Sequence, residues 1–134
     1  MIEFLADLKR RIVLVRYSSE LSAGNLARLD KMAADFVARE GAMDGIIDFS
    51  DIPTFDIPTA VVADHGRARR RMSGYRRVFI VKDELAFGML RMYGAYQENH
   101  DEDAPSIVYS LAEALALLDA EGAVFAPVAV EPRG

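Results

Sequence analysis

A short apolar run, Gly45-Ile46-Ile47-Asp48-Phe49, leads through a proline-marked turn into a segment with helical spacing that ends in arginines. This stretch, residues 45–72, constrains the chain more than any other. An apolar run followed by a turn and a helix is the unit from which parallel sheets are built. Such sheets meet ligands and partners just beyond the carboxyl ends of their strands. In this chain that place is residues 50–59.

The flanking segments fit the same architecture. Residues 2–5 alternate loosely, and Ile12-Val13-Leu14-Val15 is a β-branched apolar run, so two short strands joined through residues 6–9 are expected. The second should be buried on both faces, as a central strand is. Ser22 is placed to cap a helix over residues 25–39, whose apolar stripe is Leu26, Leu29, Met32, Ala33, Phe36 and Val37. Arg28, Lys31, Asp35 and Arg39 fall on its other side, and Gly41 ends it. After the strand at 45–49, Pro53 marks the turn, and Thr54 or Asp56 could cap a further helix. Pro58 then sits in the first turn, where its missing N–H costs nothing, and Ile57, Val61, Ala68 and Met72 form the inward stripe. A strand over 77–81 follows the break at Gly74.

The spacing predicts a helix over residues 84–98, with Leu85, Ala86, Met89, Leu90, Met92, Tyr93 and Tyr96 on a wide apolar face. Phe87, Arg91, Gly94, Ala95 and Glu98 lie on its reverse face. Each interior glycine costs about 1 kcal/mol relative to alanine, so Gly88 and Gly94 suggest close approach by another backbone or a ligand. Residues 99–104 read as a polar loop and 106–109 as a last strand. Ser110 and Glu113 then form a capping box for a helix that faces Leu111, Leu115 and Leu118 inward and stops at Gly122. Residues 123–134 read as an apolar tail, interrupted by Pro127, that packs along the domain or reaches a second subunit. The expected whole is one α/β domain over residues 1–134, with a mixed, mostly parallel sheet of four to five strands flanked by helices.

Composition removes several classes of function. A chain of 134 residues buries about two-thirds of its extended-chain surface and needs no metal or disulfide staple. It has no cysteine, so thiol catalysis, thiolate metal sites and disulfides are excluded together. Met1 to Leu8 carries Glu3 and Asp7 and lacks the basic start and apolar core of a signal peptide. No run is long enough to span a bilayer, so a cytoplasmic setting is expected. The net charge is −5, with 16 Lys and Arg against 21 Asp and Glu, which argues against nucleic acid as a partner. Positive charge is nevertheless clustered. Arg67, Arg69, Arg70, Arg71, Arg76 and Arg77 place six basic residues within eleven positions. They read either as cations at a helix carboxyl end or as a basic patch for an acidic protein partner or an anionic head group.

No catalytic set assembles from the residue types. His65 falls in the arginine-bearing helix and His100 in an acidic loop, and neither adjoins a serine in a strained turn. His65 projects near Val61 and Met72 as a half-buried structural histidine. His100, Asp101, Glu102 and Asp103 are consecutive loop residues, which rarely converge on a metal. There is no glycine-rich phosphate loop. No cofactor, no metal and no enzymatic activity are expected.

The segments RIVLVRYSSELS, GIIDFSDIPTFDIPTAVVADHGR, RRVFIVKDELAFGMLRMYGAYQE and IVYSLAEALALL resemble the STAS superfamily. The nearest branch is the small SpoIIAA-like bacterial proteins, some of which are grouped with lipid-binding domains. The resemblance covers residues 12–118 and implies a mixed sheet flanked by helices in a non-enzymatic regulatory or protein-interaction module. In antagonists of anti-sigma factors, a turn after the central strand carries a phosphorylated serine. At that turn this chain has Asp56-Ile57-Pro58-Thr59. Asp56 matches, Ile57 and Pro58 stand at the two serine positions, and Thr59 is the neighbouring hydroxyl, so no phospho-switch is expected.

Two binding surfaces follow from these readings. The first is a partner-docking surface made of Asp51, Asp56, Thr59, Arg67, Arg70 and Arg71. The alternative is an apolar or lipid-like ligand held by Phe87, Leu90, Arg91 and Tyr93. A homodimer is expected from the glycine-bearing helix face and the apolar tail.

Overall fold

The structure, a computed structural model, describes residues 1–52, 75–98 and 105–130; within the middle span, the side chains at positions 93, 94 and 96–98 are not described. The expected helix carrying Ile57, Val61, Ala68 and Met72 lies outside the described residues, as do His65 and His100. The described chain forms β1 (Ile2–Asp7), β2 (Ile12–Tyr17), α1 (Ala23–Glu40), β3 (Asp44–Asp48), β4 (Arg77–Ile80), α2 (Glu84–Glu98), β5 (Ser106–Val108), α3 (Leu111–Leu117) and β6 (Ala126–Val128).

The strands form one sheet in the order β5-β4-β3-β2-β1-β6. β2 through β5 run parallel, whereas β1 pairs antiparallel with both β2 and β6. The class is α/β as expected, but the sheet has six strands and more antiparallel pairing than the four to five foreseen. The difference comes from the apolar tail. Residues 126–128 form an edge strand on β1, with Pro127 opposite Leu5. An edge strand turns one row of backbone groups away from the sheet, which is where a residue lacking N–H can be accommodated.

The period-2 alternation of the strands sends side chains to two cores. On one face Val13, Val15, Tyr17, Phe49 and Phe79 pack against Leu26, Leu29, Met32 and Phe36 of α1 and Ala86 and Leu90 of α2. On the other, Leu5, Ile12, Leu14, Ile46, Val78 and Ile80 pack against Ala114, Leu118 and Ala120 in and after α3. The connections β2–α1–β3 and β4–α2–β5 step the same way across the sheet, and their helices share a face, as crossovers of one hand must. Ile12, Val13, Leu14 and Val15 of β2 are all buried, as befits an interior strand.

The α1 ends behave as the sequence implies. Ser22 accepts a hydrogen bond from the Asn25 N–H, and Gly41 closes the helix by donating its own N–H to the Val37 carbonyl. At φ 83°, ψ 165°, Gly41 occupies a region open only to glycine. The Arg11 guanidinium lies against it, donating to the Glu40 and Ala42 carbonyls at 2.7 and 3.3 Å. Asp35 departs from the outward face assigned to it. It is half-buried, and its Oδ2 is enclosed without a hydrogen bond from any described residue.

Four local expectations meet a different outcome. α3 ends at Leu117, before Gly122; the turn is made by Asp119 at φ 52°, and Gly122 instead lies against the Arg10 guanidinium. Its capping box is one-sided: the Ser110 hydroxyl accepts from the Glu113 N–H and donates to the Glu113 carboxylate, each at 3.1 Å. On α2, Leu85 points outward at 64% exposure. A Cβ added at Gly88 would meet nothing within 4 Å among the described residues, so no described backbone crosses there.

These observations set opposite expectations for two glycine substitutions. Gly41→Ala forces a left-handed strain and crowds Arg11, so it should cost about 1–3 kcal/mol in denaturant titration. Gly88→Ala has open space and a better helix former, and should raise stability by about 1 kcal/mol and the Tm by a few degrees.

Candidate functional site

The carboxyl ends of β2 through β5 lie along one edge of the sheet, and the chain leaves β3 there through a corner fixed from two sides. The Asp48 carboxylate accepts from the Ser50 N–H at 2.9 Å and the Ser50 hydroxyl at 2.5 Å, an Asx-type turn. The Phe49 N–H donates to the Ile80 carbonyl, and the Ile52 N–H returns to the Phe49 carbonyl. From the neighbouring strand's exit, Lys82 Nζ donates to the Ile52 carbonyl at 2.9 Å. Ile52 itself is buried, so its side chain pegs the corner into the core while Asp51 stays exposed.

An aromatic tier lies beneath the corner. Tyr17 and Phe49 have centroids 5.4 Å apart, and Phe49 meets Phe79 edge-on at 5.7 Å, arrangements favoured by the ring quadrupoles. The Tyr17 hydroxyl donates to the Glu20 carbonyl at 2.9 Å. Burial pushes its pKa from the ordinary 10.0 up to about 12.

The next two loops along the edge carry capped helix starts. Asp83 Oδ1 accepts from the Ala86 N–H at 2.9 Å and so caps α2. Tyr109 precedes the Ser110 cap of α3 and stacks on Phe87 of α2, with centroids 5.7 Å apart and planes at 9°. Tyr109 remains 47% exposed.

Of the residues assigned to partner docking, Asp51 stands exposed at this corner. Asp56, Thr59, Arg67, Arg70 and Arg71 lie outside the described residues. Two members of the arginine cluster, Arg76 and Arg77, lie among the described residues. Arg76 sits at the opposite, amino-terminal edge, paired to Asp44 at 2.9 Å and donating to the last carbonyls of α3, and Arg77 is a half-buried member of β4. The residues assigned to an apolar ligand grade from core to solvent. Leu90 is buried, Phe87 is half-buried against Tyr109 and Arg91 is exposed, while the Tyr93 side chain is outside the described set.

Sequence reasoning missed Asp48, Lys82 and Asp83. Asp48 and Asp83 left a signal: an aspartate two residues before a serine, and another just before a helical run, are both side-chain-to-backbone motifs. Lys82 left none, because its contact spans thirty positions.

Among the described residues, no group of three or more acidic or histidine side chains is placed to hold a metal ion. Among them, too, no helix is long and apolar enough to cross a membrane. No protein-family model matches this chain, and no curated protein matches it.

The raised Tyr17 pKa has a definite sign. Between about pH 10 and 12 the folded chain keeps a proton that the unfolded chain has lost, so stability is fully present below pH 10 and falls as pH rises through 12. Denaturant titrations at stepped pH should show this alkaline decline, and Tyr17→Phe should flatten it.

Proposed function

We propose that this chain is a non-enzymatic, STAS-like regulatory module of the bacterial cytoplasm that docks a protein partner at the corner leaving β3. The observation that carries this reading is the rigid presentation of that corner. Asp48 and Lys82 tie its backbone and Ile52 anchors it, which leaves the exposed Asp51 at a fixed place on the edge. Loops held this way lose little entropy on binding, so more of each contact's energy appears as affinity. The exposed Leu85 lies three residues beyond Lys82, and Tyr109 leaves the next strand. Together they supply the apolar element that a protein interface requires. The parallel centre and antiparallel margin of the sheet agree with the mixed sheet that the STAS resemblance implies.

In this reading Asp51, Asp56 and Thr59 meet the partner, and Arg67, Arg70 and Arg71 set charge complementarity. Thr59 carries no phospho-switch. The second reading, a carrier of an apolar or lipid-like ligand beside Phe87, Leu90, Arg91 and Tyr93, draws support from the half-exposed Phe87–Tyr109 stack.

Affinity capture from native cells followed by cross-linking mass spectrometry tests the first reading. A specific protein cross-linked near Asp51 is expected, with affinity reduced about tenfold or more in Asp51→Arg, or ~1.4 kcal/mol. Undiminished capture by that variant would remove the corner from the interface. Retained lipid in native mass spectra of the purified chain would favour the carrier instead.

A further inference from the structure

The tail beyond α3 lies along the outer edge of β1 but buries little there. Ala120 is buried, and its N–H donates to the Leu115 carbonyl. None of residues 121–130 after it is buried, whereas Phe4, Leu5 and Ala6, the β1 residues opposite β6, all are. Pro127 has no N–H, so its pairing with Leu5 is a non-hydrogen-bonded one, and the ladder bonds fall at Phe4–Val128 and Ala6–Ala126. Phe125, Val128 and Val130 add partial apolar contact. A segment with few buried contacts and solvent-exposed backbone bonds belongs to the low-stability end of a fold.

One carboxylate offsets this weakness. Asp7, which ends β1, accepts from the Val124 N–H at 3.0 Å and from the Arg10 N–H at 3.1 Å, with Arg10 Nε at 3.4 Å. Its side chain is only 10% exposed. The Val124 N–H, followed by the Arg10 N–H, holds its carboxyl below the ordinary 3.8. Hydrogen bonds to an ionised acceptor are the strong ones, and this one falls just before the first ladder pair of β6. Arg10 also reaches the tail, since a Cβ at Gly122 would stand 2.9 Å from its guanidinium. Asp7 and Arg10 thus clasp residues 122–124 where the tail comes onto the sheet.

We propose that residues 121–130 form a strap that opens from β1 as a unit, with residues 121 and 122 as its hinge and Asp7 as its latch. Ala120 stays in the second core, so α3 keeps its place when the strap lifts. Closed, the strap covers three of the six residues of β1. Open, it frees the outward N–H and C=O groups of Phe4 and Ala6, which an uncovered edge offers to any extended chain. The latch therefore sets how much of the time the edge of β1 is withheld. The proposal stands independently of what the corner binds.

Native-state hydrogen exchange of the full chain, followed by NMR at stepped low denaturant, tests it, with Asp7→Ala and Asp7→Asn alongside. In the wild type the amides of Ala126 and Val128 should exchange faster than those of Val13, Leu14 and Val15 in β2. Their rates should also depend less on denaturant, because a local opening exposes little surface. Asp7→Ala should speed exchange at Ala126 and Val128 about tenfold or more and keep the shallow slope. Asp7→Asn keeps an acceptor for the turn and loses only the charge, so it stays folded if the alanine variant does not, and should speed the same two amides several-fold. Strap amides that share the rate and slope of β2 in the wild type, or that exchange at the wild-type rate once the carboxylate is gone, would overturn the proposal.

Discussion

Everything in this fold depends on β2 being enclosed on both faces. Ile12 and Leu14 enter one core and Val13 and Val15 the other, so the strand links the two packed layers. It also joins the two directions of the sheet, antiparallel to β1 on one side and parallel to β3 on the other. A one-residue slip of β2 would exchange its sets between cores shaped for different partners. The hairpin to β1 and the register with β3 hold it against that slip, and Arg11 in the hairpin turn reaches across to the end of α1. Strand pairing, turn and helix cap are thus fastened at one place.

What could be read from the sequence follows from how local the governing physics is. α1 was legible because its apolar stripe, serine cap and closing glycine all lie within about twenty residues and agree with one another. The start of α2 was legible from its helical period alone, without its Asp83 cap, and the buried run of β2 from its unbroken apolar residues. The sixth strand was not, because an apolar stretch containing proline joins an edge only through a distant partner, and β1 lies at the other end of the chain. The end of α3 was misjudged because Asp119 adopts the left-handed turn that glycine usually supplies. Leu85 obeyed the helical period but fell at the margin of the apolar face, where tertiary contacts alone decide exposure. At the candidate site, Asp48 and Asp83 wrote local motifs, whereas Lys82 reached a carbonyl that no spacing rule connects to it.

The arginine cluster shows why charge runs need a topology before they acquire a role. Arg76 and Arg77 adjoin the other arginines in sequence, yet one caps α3 beside Asp44 and the other belongs to β4. The main chain passes from Ile52 at one edge to Tyr75 at the opposite edge, which places Arg76 and Arg77 away from the corner that carries Asp51. Asp51 is exposed for the converse reason. Its neighbours Asp48 and Ile52 are engaged with the body of the domain, which leaves it the free member of a fixed turn.

The two outer strands are short, with three residues each in β5 and β6, and β6 contains Pro127. Such margins offer an incoming peptide few backbone groups in register, so extending the sheet by an extra strand is a poor route to association. Recognition must therefore be written in side chains at the strand ends. Main-chain pairing accepts almost any extended sequence, but a surface of individual side chains discriminates, and its selectivity can shift through one or two substitutions without disturbing the fold that carries them.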